Sequence, residues 1–493
     1  MKQRVFSSTE NALLNMSMKY HGFFRFGHIL RLQGPFISFE ALQTAVSCLQ
    51  RRHPFLRSRL RTNPAASNTY LLEEDSTLQL KIREIPRKCD DHLQFWKKQW
   101  REREKDAAVI GEGLIEFWLL QDPDDHNNDE AQQEIVIICE HCISDGISFN
   151  IIAHELLLAL GEEDKSIFNT SLDWSIPMET AIEQNVSRWS RFTTVSKFIV
   201  SATYQYMTLG RNTARIPYAT VDFPLNEVHE HCHTETFYGS LSKAEAQALF
   251  GNWHHEGVTV TSIVTAVMLR AISPLVNNKD GNLAHITGVD LRRRYRPPML
   301  NSSLSYQVAG TGVFYLPVND VPSTTADMWN LARKFGRYVN ESIEAGEIFA
   351  TGILSGKLYE REEGPFNTKT NPTSGITSWG RLTFQEQYGR WKLVGMLPLG
   401  NMVHSFTPIA FVYTVNGVLS IASSAPDPLF LSEVLEQLQQ TTTNNVVLTD
   451  LFIRKYIYVY IRNETTFCFF LSRICYQTDS FISNVFDLCV FFL

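Results

Sequence analysis

The chain lacks most of the features that would classify it at a glance. Across 493 residues no uninterrupted apolar run approaches the roughly 18–20 residues that a bilayer-spanning helix needs. The opening stretch, MKQRVFSSTENALLNMSMKYHGFF, contains no apolar h-region, so a secretory signal is not expected. Cysteine is scarce. Eight residues at irregular spacings make no disulfide framework, which points to a reducing compartment and a cytoplasmic location. Positive charge is not in excess either, because the formal net charge is −7. That balance argues against a nucleic-acid partner. The single basic run, RRRYR at 292–296, is read as a solvated loop plus one structural arginine. No GxSxG, P-loop or GxGxxG context is found, so a serine hydrolase of that type or a nucleotide enzyme has no support.

What is present fits a globular α/β protein. Hydrophobic residues make up 44% and charged residues 20%. The length exceeds what one core comfortably fills, so two domains are expected. Segment 36–60 carries Leu42, Ala45, Val46 and Leu49 at helical spacing, and Pro54 ends the helix. Strands are expected over 78–85, 114–120 and 134–140, with a helix over 148–160. A polar, charge-rich helix is expected over 90–104. Segment 210–226 has glycine, two prolines and no helical period, and is taken as a linker between residues 1–209 and 227–442. The second half then reads as strand 234–241, helices 242–257 and 258–272, strands 284–294 and 310–318, and helix 324–343. A hairpin turning at Asn416-Gly417 and a helix over 427–440 close it. Such alternation implies an α/β architecture. Residues 443–493 differ: they have no glycine or proline and hold eight of the 32 phenylalanines. This tail is left open between a disordered or artefactual extension and a segment that contacts a membrane or a partner.

The stretch EIVIICEHCISDGISFN, residues 134–150, is the main candidate for chemistry. An apolar strand ends on His141, and Asp145-Gly146 follow four residues later, ahead of a helix. A neutral imidazole is the side chain best suited to accept a proton from an attacking alcohol or amine. Asp145 can cap the helix or hold the loop through an ion pair, and Gly146 permits a sharp turn. By spacing alone, a satisfied strand-end histidine is as good a reading. Three other histidine groups have plainer explanations. HEHCH (His229 to His233) has the residue types of a zinc site, but no distant fourth ligand is apparent and no metal is expected. The tandem His254-His255 in WHHEG (253–257) has no Asp-Gly four residues on, and both histidines are read as surface residues. His53 in RRHP is read as structural.

Several motifs, in order, resemble one superfamily. EHCISDG is similar to the HHxxxDG motif of condensation domains, alcohol acetyltransferases and polyketide-associated (PapA-like) acyltransferases, and to the HxxxDG of BAHD acyltransferases. LQRRHPFLRSRL (49–60), GVTVTSIVTAVMLRAI (257–272), GVDLRRR (288–294), TSWGRL (377–382) and VNGVLSIASSAPDPLF resemble further segments of these proteins, across about residues 5–442. The resemblance implies two chloramphenicol-acetyltransferase-like α/β domains, each a mixed sheet flanked by helices, with a channel between them. It further implies acyl transfer from acyl-CoA, as co-substrate with no bound cofactor, to an alcohol or amine, by a monomer. His141 matches the catalytic histidine, Asp145 the structural aspartate with Arg292 as its partner, and Gly146 the motif glycine. Ser378, Trp379 and Gly380 match the element flanking the donor side of the channel. Glu140 departs from the pattern, standing where HHxxxDG has its first histidine, and is expected to face away from His141 as its strand neighbour. Two other readings remain: a degenerate binding module on the same fold, and a metal-dependent hydrolase built on HEHCH.

Overall fold

Two large sheets carry the architecture. The computed structural model describes residues 2–87, 95–161, 165–299, 304–360 and 371–446. The first sheet has the order Gln387–Tyr388, Trp391–Gly400, Phe26–Gln33, Gln132–Cys139, Ile115–Gln121, Lys81–Pro86. Only its last pair is parallel. The second runs Val308–Gly310, Asn282–Asp290, Ser374–Arg381, Ile409–Val415, Val418–Asp427, His233–Leu241, and Phe314–Pro317 also pairs with Asn282–Asp290. Ser374–Arg381 lies parallel to both of its neighbours. Both sheets are therefore mixed, and helices flank them, as expected of two chloramphenicol-acetyltransferase-like lobes. A small third sheet joins Gln3–Val5, Tyr70–Glu74 and Ser58–Thr62.

The strand Gln132–Cys139 shows why its sequence is an unbroken apolar run. Ile135, Ile137 and Cys139 point into the main core, while Val136 and Ile138 pack with Trp96, Trp100 and Trp118 on the opposite face. A strand covered on both sides has no polar alternation to display. Trp96 and Trp100 also explain how the charge-rich helix Phe95–Arg103 is held, through a narrow apolar edge. In the second sheet Ile376, Ala410 and Val412 face helices Lys243–His255, Val260–Ile272 and Thr325–Glu344, whereas Trp379, Phe411 and Tyr413 join the core of the first lobe. The lobes share one apolar core along this face.

Most elements begin or end where their local chemistry dictates. Ser38 caps the helix Phe39–Arg52, which stops at His53 before Pro54. Asn416 and Gly417 both have positive φ in the hairpin turn. The last helix spans 432–446 rather than 427–440, because Val418–Asp427 extends as a strand through the expected start. Within residues 227–442, Trp391–Gly400 crosses to the first sheet and pairs with Phe26–Gln33. Leu393 and Met396 bury in the first lobe's core there, which gives the crossover its driving force. On the other side of Phe26–Gln33, Gly27 allows the close approach of Gln132–Cys139, since a Cβ at that position would stand 2.4 Å from the carbonyl oxygen of Ile137. The tail expected over 443–493 lies, beyond residue 446, outside the described residues.

Glu104 sits where the lobes join. Its buried carboxylate accepts the Thr234 N–H at 3.1 and 3.2 Å, and Asn401 bridges the Glu104 and His21 carbonyls. Burial pushes Glu104 up to about 8, from 4.5 for the ordinary group. Between those values the unfolded chain has released a proton that the folded chain keeps, so stability falls as pH rises through this window. In Glu104→Gln that slope should vanish, and the variant's advantage over wild type in denaturant melts should grow from pH 4.5 to pH 8. A difference that stays constant with pH would contradict this account of Glu104.

Candidate active site

His141 opens a one-turn 3-10 helix, His141–Ile143, between the strand Gln132–Cys139 and the helix Gly146–Leu160. The turn folds the chain back so that the imidazole Nδ1–H donates to the Ser144 carbonyl at 2.7 Å. A carbonyl cannot donate in return, so this bond selects the tautomer that leaves a lone pair on Nε2. The ring is partly buried, against Phe26 at 4.6 Å, Tyr306 at 5.2 Å and Phe24 at 6.3 Å between centroids. Burial holds its pKa below 6.5, opposed by the Ser144 bond and by the nearby Asp145 and Glu140 carboxylates. Such a group is a neutral base at physiological pH.

Asp145 caps the helix Gly146–Leu160 and is fully buried. Its Oδ1 accepts from Ile147 N, Ser148 N and Ser148 Oγ at 3.0–3.1 Å. Its Oδ2 accepts from Arg292 at 2.9 Å and from Gln307 N at 2.8 Å. Arg292, equally buried, also donates to Asp290 Oδ1 at 2.8 Å and to Ser305 O and Oγ at 3.0 and 3.1 Å. The structure thus brings together the pair that the sequence resemblance joined across 147 residues. One partner belongs to the first lobe and the other to the turn after a strand of the second. Ser148, Ser305 and Gln307 were not singled out from sequence. Ser148 alone carries a local signal, as the third residue of a capping box.

Gly146 is required for a different reason from the one expected. It lies in the first turn of the helix, not at a sharp bend, and its Cα is covered by the Trp379 indole. A Cβ there would stand 2.1 Å from Trp379 Nε1 and 2.4 Å from Cδ1. Trp379 itself is buried against His28, Phe411 and Tyr413. The strand bulges between Ser378 and Gly380. Those two residues and Trp379 border a cavity of about 740 Å³, whose wall also includes Arg293, Arg294, Arg333, Arg337 and Arg381. A second cavity of about 410 Å³ is lined mainly by apolar groups and by Tyr306 and Tyr359; Tyr306 is also the ring that touches His141. Thr287 and Gly288 border both cavities.

Glu140 is a buried anchor. Arg25 Nε donates to its carboxylate at 2.7 Å, a second Arg25 nitrogen joins it, and Ser17 Oγ donates at 2.7 Å. Cys139 and Cys142 bracket Glu140 and His141 in a Cys-x-x-Cys spacing. Both are free, buried thiols held well above their ordinary pKa by burial, unsuited to redox or metal chemistry. The HEHCH residues diverge. His229 stacks on His21, His231 stacks on Phe223, and His233 lies beside Glu235 and Asp427. Among the described residues, the one three-ligand grouping at metal-binding distances is Glu227, Glu230 and His231, which takes in a single histidine of the motif.

Residues 235–384 match the family described as phthiocerol/phthiodiolone dimycocerosyl transferase C-terminus. The whole fold also matches solved structures. TRI3 trichothecene 15-O-acetyltransferase from Fusarium sporotrichioides superposes with a TM-score of 0.71 at 12% identity, over 91% of this chain and 95% of that one. The chain has the fold of the condensation and acyltransferase superfamily. Polyketide synthase associated protein 5 from Mycobacterium tuberculosis gives 0.62 at 16% identity, over 90% and 98% of the two chains. The condensation domain of the Monacolin K polyketide synthase MokA gives 0.62 at 11%, over 92% and 98%. No curated protein sequence matches the chain. Among the described residues, no helix is long and apolar enough to cross a membrane.

Two substitutions probe the packing of this site. Asp145→Ala leaves the Arg292 charge buried without its cap partner and should cost about 3–5 kcal/mol in denaturant melts. Gly146→Ala should cost about 1–3 kcal/mol through the Trp379 clash. Its penalty should shrink in a Trp379→Leu background; strict additivity of the two would refute the contact.

Proposed function

We propose that the chain is an acyltransferase that moves an acyl group from acyl-CoA to an alcohol or amine, with His141 as general base. The observation that carries this reading is the His141 tautomer, fixed by Ser144, with its Nε2 lone pair unprotonated and its pKa lowered. In the proposed reaction Nε2 takes the proton of the acceptor hydroxyl or amine as that group attacks the thioester carbonyl. The tetrahedral intermediate collapses with cleavage of the C–S bond, and the imidazolium returns the proton to the departing thiolate. No covalent enzyme intermediate is needed, since positioning two substrates together supplies much of the rate. Asp145, Arg292 and Gly146 hold the turn that carries His141.

The two cavities support a division of labour along a channel between the lobes. The larger one, with five arginines in its wall, suits the phosphates of CoA in a chain whose net charge is −7. Arg333 is tied to Glu256, leaving the others as the main phosphate candidates. The apolar one beside Tyr306 suits the acceptor. Ser378, Trp379 and Gly380 then stand on the donor side. The buried Glu140–Arg25 pair gives the missing motif histidine a structural explanation, which favours an active transferase over a degenerate binding module.

The test is thiol release from acyl-CoAs, acetyl to palmitoyl, with mixed alcohols and amines. Acceptor-dependent release should fall about 10²–10⁴-fold in His141→Ala while the melting transition is kept. The ascending, acid-side limb of kcat/KM, where the imidazole loses its proton, should have its midpoint below pH 6.5. Equal release by wild type and variant would rule out the proposed base. In Arg293→Ala/Arg337→Ala, KM for acyl-CoA should rise about tenfold or more, while KM for an acyl-N-acetylcysteamine lacking phosphates stays unchanged. An equal rise for both donors would remove the phosphate role.

A further inference from the structure

The helix Arg188–Thr208 is built inside out. It spans 21 residues with none buried, yet its most exposed side chains are large and apolar. Trp189 is 74% exposed, Phe192 64%, Val200 69% and Tyr204 69%, with Ile199 and Met207 near half. These recur mostly at three- and four-residue steps, so they form one stripe along the outer face. The inner face is accounted for: Thr194 meets Gly346, Phe198 approaches Gly312, and Ala202 and Gln205 line the 410 Å³ cavity.

Charge is segregated here as well. No acidic residue occurs between Glu183 and Asp222, where Arg188, Arg191, Lys197, Arg211 and Arg215 all fall, in a chain with 52 acidic residues. Arg191 pairs with Glu183 and Arg215 is bound to backbone carbonyls, but Arg188, Lys197 and Arg211 are exposed. An apolar stripe with aromatics, flanked by cations and free of acids, is the pattern of a helix lying in a bilayer interface. A second copy docking through the same face would oppose like charges with no acid from this segment to answer them.

We infer that the helix Arg188–Thr208 docks the protein on an anionic phospholipid surface through its outer face, while its inner face lines the 410 Å³ apolar cavity. The inference stands independently of the acyl-transfer reading. Phe198 and Ala202 of this helix line that cavity together with the 42%-exposed Leu358, so an apolar pocket lies directly behind the docking face.

The experiment is sedimentation of the full chain with vesicles of phosphatidylcholine alone or mixed with phosphatidylserine. Wild type should pellet with the mixed vesicles, more weakly with the neutral ones, and less as salt rises. Trp189→Ser/Ile199→Ser/Val200→Ser alters only exposed side chains and should keep the melting transition. It should lower partitioning by roughly tenfold or more, and Arg188→Glu/Lys197→Glu should abolish the preference for phosphatidylserine. Undiminished pelleting of the triple variant would overturn the inference and put the contact elsewhere, as in the tail. So would a wild type that ignores both vesicles, or one that is a dimer which the triple variant converts to monomer.

Discussion

The ion pair between Asp145 and Arg292 is the contact on which the site depends. Two fully buried charges are costly to desolvate, and such a pair is tolerable only when the remaining hydrogen-bonding capacity is met. Here Asp145 accepts five hydrogen bonds, three from its own helix start, one from Arg292 and one from the Gln307 backbone. Because the aspartate caps a helix of one lobe and the arginine follows a strand of the other, the pair couples local helix initiation to lobe assembly. His141 hangs from the turn that this arrangement fixes. Its orientation is therefore a property of the assembled lobes, as its contacts with Tyr306 and Phe26 make plain.

Much of this was legible in the sequence, for identifiable reasons. His141, Asp145 and Arg292 belong to short motifs whose order along the chain carried the resemblance, and doubly covered strands such as Gln132–Cys139 announce themselves as apolar runs. The strand Phe26–Gln33 did not, since Gly27, His28 and Arg31 break any pattern, and its partner Trp391–Gly400 contains Pro398 and two glycines. Their pairing spans over 350 residues and depends on a shared core that no local window contains. Gly146 illustrates the same limit at one atom. Its place in the motif was evident, but the reason for it, an indole from residue 379, exists only after the lobes close. Glu140 looked like a defect and is a buried partner of Arg25.

The proposed chemistry draws on an asymmetry around the strand that both cavities share. One cavity bordered by Thr287 and Gly288 has five arginines in its wall and the other is mainly apolar, with Tyr306 both lining the second and packing on the imidazole. In the proposed reaction a polar, phosphate-bearing donor and a less polar acceptor would occupy these different environments. The exposed apolar helix at the rim of the second cavity extends that asymmetry to the surface.

The central claim is that His141 stands as a neutral base with its lone pair on Nε2. Nitrogen-15 NMR of histidine-labelled protein, with the His141 signals assigned by their loss in His141→Asn, tests it without any substrate. The account predicts a protonated Nδ1, an unprotonated Nε2 at pH 7 and a titration midpoint below 6.5. A proton on Nε2 at pH 7, as the other tautomer or as an imidazolium, would contradict it.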